Sequence, residues 1–260
     1  MPLVEDMERK GAWLFRWRGI LPVLLIPGSL LVAFGDDMSP AFNDPRWIAI
    51  CVGVGVLGQI IRALTIGYVP KGTSGRNTSE GQVAMVLNTK GMYSFVRHPL
   101  YLGNFFMWLG LVLYTGSFTL SICVSIAFWI YYTLISMTEE RYLRGQFGDT
   151  YLKWSETIPA FFPKTLKWIK PGVFFSLRNV LKREYNGAFA LVISFVAINA
   201  VHSLREGLAE GLPWIDALSP SQPWQASLSI ASISFLLLRY MKKRTKVLDV
   251  EGREYIKESI

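Results

Sequence analysis

Six apolar windows, each long enough to cross a hydrocarbon layer, constrain this chain more than any other feature. They fall at roughly 19–35, 47–67, 100–116, 118–138, 187–204 and 224–240. Apolar residues make up 51% of the 260 and aromatic residues 14%, which is unusual for a soluble domain. Only Thr115, Gly116 and Ser117 separate the third window from the fourth, so these two are expected to form a tight antiparallel hairpin. The expected fold class is all-α: a polytopic membrane protein with about six transmembrane helices and interfacial segments between them.

The net charge of +8 raises the question of nucleic acid or anionic lipid, and its distribution decides. Of the 27 Lys and Arg residues, 24 lie in the amino terminus, the 67–99 and 139–186 segments, or the tail from Arg239. Arg62, in the last turns of the second window, faces the same side. Only Arg46 and Arg205 fall opposite, where Asp36, Asp37, Asp44, Glu206, Glu210 and Asp216 outnumber them. This asymmetry places both termini in the cytoplasm and gives the charge a topological role, with no nucleic-acid partner. The first window follows a charged leader and has no small-residue cleavage site, so it reads as a retained helix.

Several motifs carry little. The glycines of "GVGVLG" (Gly53 to Gly58) spell a dinucleotide pattern, but they lie within an apolar span, where small residues let helices approach. "NTS" (Asn77 to Ser79) falls on the cytoplasmic side, and "GTSGRN" (Gly72 to Asn77) lacks the Gly-Lys pair of a phosphate loop. His202 reads as a packing histidine. Cys51 and Cys123 sit in apolar runs without partners at ligand spacing, implying neither a disulfide framework nor a metal site. The segments 67–99 and 139–186 are too long to be mere connectors. Trp154, Phe161, Phe162, Trp168, Phe174 and Phe175 suggest that the second forms an ordered layer at the membrane surface.

The chemistry is expected at the mouth of the hairpin. "YSFVRHPLYLGN" (Tyr93 to Asn104) puts Arg97, His98, Pro99 and Tyr101 at the start of the third window. Proline suits a first helical turn, and the exposed amides there attract an anion. At the far end of the hairpin, "TEERYLRGQFGDTY" (Thr138 to Tyr151) places Glu139 and Glu140 where the apolar run ends. Adjacent carboxylates at a bilayer boundary are costly unless paired or used. A local pair of Glu140 with Arg144 would be worth only about 0.2–0.5 kcal/mol and leaves Glu139 unexplained. A short turn makes the start of one helix and the end of the next neighbours, so these side chains should converge.

The pattern "GMYSFVRHPLYLGN", then "EERYLRGQFGDTYLKW" and "IPAFFP", resembles the isoprenylcysteine carboxyl methyltransferase and phospholipid methyltransferase superfamily. The resemblance covers roughly residues 85–165 and departs at Trp154, where members often carry a tyrosine. It divides the chain into an N-terminal membrane segment (1–84), a methyltransferase core (85–165) and a C-terminal segment with two further spans (166–260). It implies an integral membrane methyltransferase using S-adenosylmethionine, with Arg97 and Glu140 in catalysis. Tyr93, His98, Tyr101, Glu139, Glu140 and Tyr151 would hold the donor, and no metal is implied.

The residue types suit that chemistry. A carboxylate can meet a sulfonium or an ammonium group, and the aromatic faces of Tyr101, Tyr151 or Trp154 attract a desolvated cation. Arg97 can orient an anionic acceptor or the donor's carboxylate. The acceptor is expected to be a membrane lipid or lipid-linked carboxylate, phosphate or amine, met at the cytoplasmic membrane of a bacterium. Two rival classes are an NADPH-dependent membrane reductase of the sterol-reductase type and a non-enzymatic scaffold or transporter. The Glu-Glu and FGxxY pattern argues against the first, and a polar cluster at one face without repeats argues against the second.

Overall fold

The computed structural model describes residues 43–70, 76–78, 81–84 and 86–253, with Gly11, Trp13 and Leu14. The first expected span, 19–35, and most of the Gly72–Asn77 turn lie outside the described residues. Among residues 43–253 of the described chain, six α-helices carry the architecture: α1 (Pro45–Gly67), α2 (Pro99–Tyr114), α3 (Phe118–Thr157), α4 (Leu177–Ala209), the single turn α5 (Trp214–Ala217) and α6 (Gln222–Arg244). The helical class is as expected from the sequence. A small antiparallel hairpin, β1 (Arg76–Thr78) with β2 (Gly81–Val83), interrupts the connector from α1 to α2, pairing Asn77 with Gln82.

Helix boundaries follow local chemistry. Asp44 caps α1 by accepting a hydrogen bond from the Arg46 amide at 2.9 Å, and Pro45 opens the first turn. Pro99 does the same for α2. Gly116, with φ of 76°, closes the three-residue turn, and Ser117 caps α3 through the Leu120 amide at 3.3 Å. The far end of α1 is held by residues distant in sequence. Asn179 Nδ2 donates to the Ile66 carbonyl at 2.7 Å, and the Ser176 amide to Gly67 at 3.0 Å. The buried guanidinium of Arg253 donates to the carbonyls of Gly67 and Val69 at 2.7 and 2.8 Å. A cation on the last carbonyls of a helix offsets their unpaired dipoles.

Helices α1, α3 and α4 are long and apolar enough to span a bilayer. The other expected spans divide differently. With 16 residues, α2 reaches about 24 Å, short of a hydrocarbon core of about 30 Å. Helix α6 has the length, but it ends on Lys242, Lys243 and Arg244 and falls below the hydropathy of the three. Its Ile230, Ile233, Leu236 and Leu237 are nevertheless exposed on the isolated chain.

Two apolar clusters organise the bundle. Cys51, Leu111, Tyr114, Leu191, Phe195 and Ile198 join α1, α2 and α4. Phe128, Tyr132 and Ile135 of α3 pack with Tyr101, Phe105 and Trp108 of α2 and with Leu14. Between α1 and α2 the backbones nearly touch. A Cβ on Gly110 would stand 2.6 Å from the Cys51 carbonyl oxygen and 2.7 Å from the Gly55 nitrogen. Gly55 and Gly58 of "GVGVLG" therefore serve helix packing, as their placement in a span suggested.

Gly53 lies in the same run but faces open space, which makes it an internal control. Gly110→Val should lower stability by about 1–3 kcal/mol or more, because backbone cannot yield as a side chain can. Gly53→Val should be nearly neutral. Thermal unfolding of both variants in detergent, followed by size exclusion, checks the contrast.

Candidate active site

Helix α3 covers 40 residues with a break at Gly148, and the stretch before the break, at about 45 Å, already outruns a hydrocarbon layer of about 30 Å. At Gly148 the backbone leaves helical geometry, with φ of 52° and ψ of −128°. A left-handed φ of this kind suits glycine. The break turns residues 151–160 back beneath the start of α2. There the Arg97 amide donates to the Pro159 carbonyl at 2.8 Å and the His98 amide to Ala160 at 3.0 Å.

The side chains converge on the same point. Arg97 grips Glu140 with a fork, Nε to Oε1 at 2.9 Å and Nη2 to Oε2 at 3.1 Å. Its Nη1 donates to the carbonyls of Ser155 and Ile158 at 2.9 and 2.7 Å. His98 is 6% exposed and lies between the two carboxylates. Its Nε2 is 2.8 Å from Glu140 Oε1, and its Nδ1 is 3.6 Å from Glu139 Oε2. Tyr101 stacks on the imidazole and donates its hydroxyl to Glu139 at 3.0 Å. Phe161, from the returning segment, roofs the imidazole with centroids 5.5 Å apart.

The electrostatics follow. Burial alone would lower the His98 pKa, but the pull of Glu139 and Glu140, the latter hydrogen-bonded at 2.8 Å, holds it above the ordinary 6.5. Burial opposes the charge of Glu140 too, and His98 and Arg97 overcome it, bringing that carboxyl down to about 2.

A cavity of about 390 Å³, within the size range of small-molecule sites, opens beside the cluster. Tyr93, Arg97, His98, Tyr101 and Glu139 line it. Glu140 stands behind them, locked to Arg97 and His98. Tyr151 is buried deeper still, and burial followed by the nearby Glu140 charge raises its phenol. Burial and the Glu139 charge raise that of Tyr93. Of the aromatics expected to form a surface layer, Trp168 and Phe175 pack edge-on against Tyr68, whereas Phe174 is 92% exposed.

The opposite wall comes from residues that sequence reasoning had not assigned to the site. Arg62 of α1 makes a second fork, with Glu184 of α4, at 2.7 and 2.9 Å. Its Nη1 donates to Asn104 at 2.6 Å, and Asn104 in turn donates to the Tyr132 hydroxyl at 3.0 Å. Arg183 and Lys242 complete this side. The available signal was Arg62 itself, a charge within an apolar span. Among the described residues, no group of three or more His, Cys, Asp or Glu side chains could hold a metal ion.

Residues 48–150 match the sequence model of the phospholipid methyltransferase family. The protein-S-isoprenylcysteine O-methyltransferase of Schizosaccharomyces pombe is 33% identical over 160 residues, which cover 59% of this chain and 67% of that protein. The chain belongs to the isoprenylcysteine and phospholipid methyltransferase superfamily. It is accordingly an integral membrane protein of methyltransferase type. Two other members of the likeness carry different names. A nickel-cobalt-cadmium resistance protein of Alcaligenes xylosoxydans xylosoxydans is 28% identical over 198 residues, covering 76% of this chain and 85% of that one. A cobalt-zinc-cadmium resistance protein of Cupriavidus metallidurans is 30% identical over 122 residues, covering 46% and 53%. No solved structure matches the chain.

The two shifted groups make the cluster's contribution to stability depend on pH in opposite senses. The part due to Glu140 is complete above its ordinary 4.5 and is lost as pH falls toward about 2. The part due to His98 is complete below 6.5 and is lost as pH rises through its elevated folded value. Between pH 6 and 9 the wild type should therefore lose more stability than His98→Gln does. Unfolding midpoints of both proteins across that range test the difference.

Proposed function

We propose that this chain transfers a methyl group from S-adenosylmethionine to a membrane lipid or lipid-linked acceptor at the cytoplasmic face of a bacterial membrane. The observation that carries this reading is Glu139, a carboxylate held by Tyr101 and His98 at the wall of a ligand-sized cavity, between aromatic rings. Such a wall suits a cation bearing an amino acid and a nucleoside. When bound, the donor supplies an electrophilic methyl carbon: the acceptor's lone pair forms the new bond, and the carbon–sulfur electrons remain on sulfur.

The protein's own work is positioning and exclusion of water. Glu139 meets the positive charge, while His98, Tyr101 and Tyr93 shape the pocket around it. Arg97 and Glu140 were expected from the sequence to touch the reactants. In this proposal they act as positioning residues, because Nε, Nη1 and Nη2 of Arg97 are all engaged within the protein. Tyr151, expected from the sequence to hold the donor, lies outside the lining of this cavity, and its buried hydroxyl makes no hydrogen bond among the described residues. The six-span topology with both termini cytoplasmic is part of the same proposal. Helices α1, α3 and α4 and the one-sided basic charge support it.

Calorimetry on the purified protein should show binding of S-adenosylhomocysteine and none of NADPH; the reverse pattern would establish the reductase reading instead. Glu139→Gln should weaken that binding by about tenfold or more, since losing one partner at a partly desolvated charge typically costs about 2–5 kcal/mol. Lipid mass spectrometry with and without the chain then identifies the acceptor class by the mass of one added methylene.

Topology has its own test. Cysteines introduced at Asp36 and Asp216 should react with an impermeant thiol reagent from outside sealed cells, and those at Ser79 and Lys170 should not. Labelling at Lys170 from outside would place the cluster on the wrong face.

A further inference from the structure

The cavity is electrically two-sided. On the side of the hairpin Glu139 stands with Arg97 and His98, whose charges it and Glu140 offset. On the other stand Arg62, Arg183, Glu184 and Lys242, contributed by α1, α4 and α6. Glu184 is 4% exposed and already takes the Arg62 fork and the Gln59 amide, so it serves to fix Arg62 in place. Arg183 and Lys242 line the same wall. Lys242 lies over the ring of the buried Tyr185, with its nitrogen 4.8 Å from the centroid, which places it at the cavity rather than in open solvent. Arg183 is half-buried, and its charge acts on the Tyr93 phenol against that of Glu139, so the two sides meet across Tyr93. A guanidinium has five donors and can serve a ligand as well as a protein partner. Both cations lie beyond residues 48–150, the stretch that defines the family.

We propose that Arg183 and Lys242 form a subsite for an anionic phosphate or carboxylate of the acceptor, so that α4 and α6 select lipids with a net negative headgroup. This rests on the methyltransferase reading for the word acceptor, though not for the existence of the subsite. A cationic donor drawn to Glu139 and an anionic acceptor drawn to the far wall would be aligned along the cavity by charge alone.

The donor's own carboxylate is the competing occupant, and binding in detergent separates the two. The probes are dioctanoyl phosphatidic acid, dioctanoyl phosphatidylcholine and S-adenosylhomocysteine. Wild-type protein should bind the phosphatidate more tightly than the phosphatidylcholine. Combined Arg183→Gln and Lys242→Gln should weaken phosphatidate binding by about tenfold or more and change S-adenosylhomocysteine affinity by less than about threefold. Lys242→Glu alone, near the end of α6, gives the same readout should the double variant fail to fold. A comparable loss of S-adenosylhomocysteine affinity would assign the wall to the donor and overturn the proposal, as would unchanged affinity for every probe. Phosphatidate binding that depends on Arg183 and Lys242, in a protein that does not bind S-adenosylhomocysteine, would keep the subsite and remove the methyltransferase reading.

Discussion

The fork between Arg97 and Glu140 ties together three pieces of chain at a single guanidinium. Arg97 ends the connector before α2, Glu140 lies where α3 leaves its apolar stretch, and the carbonyls of Ser155 and Ile158 belong to the returning segment. The side chains of Arg97 and Glu140 are 17% and 24% exposed, so each charge is partly desolvated and needs the other. Removing one partner of a fully buried pair costs about 3–5 kcal/mol, and a partly screened one less. His98 depends on this arrangement, since its Nε2 shares the Oε1 oxygen that Arg97 holds. Glu139 is set in turn by His98 and Tyr101. This cavity-lining carboxylate is thus the last link of a chain that begins with a guanidinium it does not touch.

A second constraint fixes the opposite wall. Glycines let α1 and α2 approach until backbone meets backbone, and a Cβ on Gly103 would stand 2.6 Å from Arg62 Cγ. Only with that spacing does Arg62 lie along α2 and reach Asn104, while its other nitrogens reach Glu184 on α4. Close helix packing and the polar cross-link are therefore one device. A charge within an apolar span is expensive in lipid, and here it is bound on both sides.

Much of the first wall was legible in the sequence, because the hairpin made it a local problem. Three turn residues force the ends of α2 and α3 together, so Arg97, His98, Tyr101 and the glutamate pair had to be neighbours. The fork between Arg97 and Glu140 was not read from the sequence, where Arg97 was expected to meet a reactant. The second wall was not legible for the opposite reason. Arg62 and Glu184 are 122 positions apart, and nothing in the spacing of either announces the other. The Arg253 clamp on the end of α1 is hidden likewise, 186 positions from the carbonyl it caps. Window counting also treated α2 as a full span, although Pro99 and the turn at Thr115 limit it to 16 residues.

The protonation states of the cluster bear on which acceptor the proposed reaction can use. An amine must shed a proton as it is methylated, and an unprotonated base has to stand near it. Glu140 lies outside the lining of the cavity, and its two cationic partners lower its pKa and with it its basicity, while His98 is engaged between two carboxylates that raise its pKa. Glu139 is already committed to Tyr101 and His98. A phosphate or carboxylate oxygen arrives with its lone pair available and releases nothing, so it asks only to be aligned. The wall carrying Arg62, Arg183 and Lys242 provides that alignment without proton chemistry. The cluster's strong charge pairing, which would handicap a base, leaves the hairpin side of the cavity balanced in charge, facing a wall where Arg62, Arg183 and Lys242 outnumber Glu184.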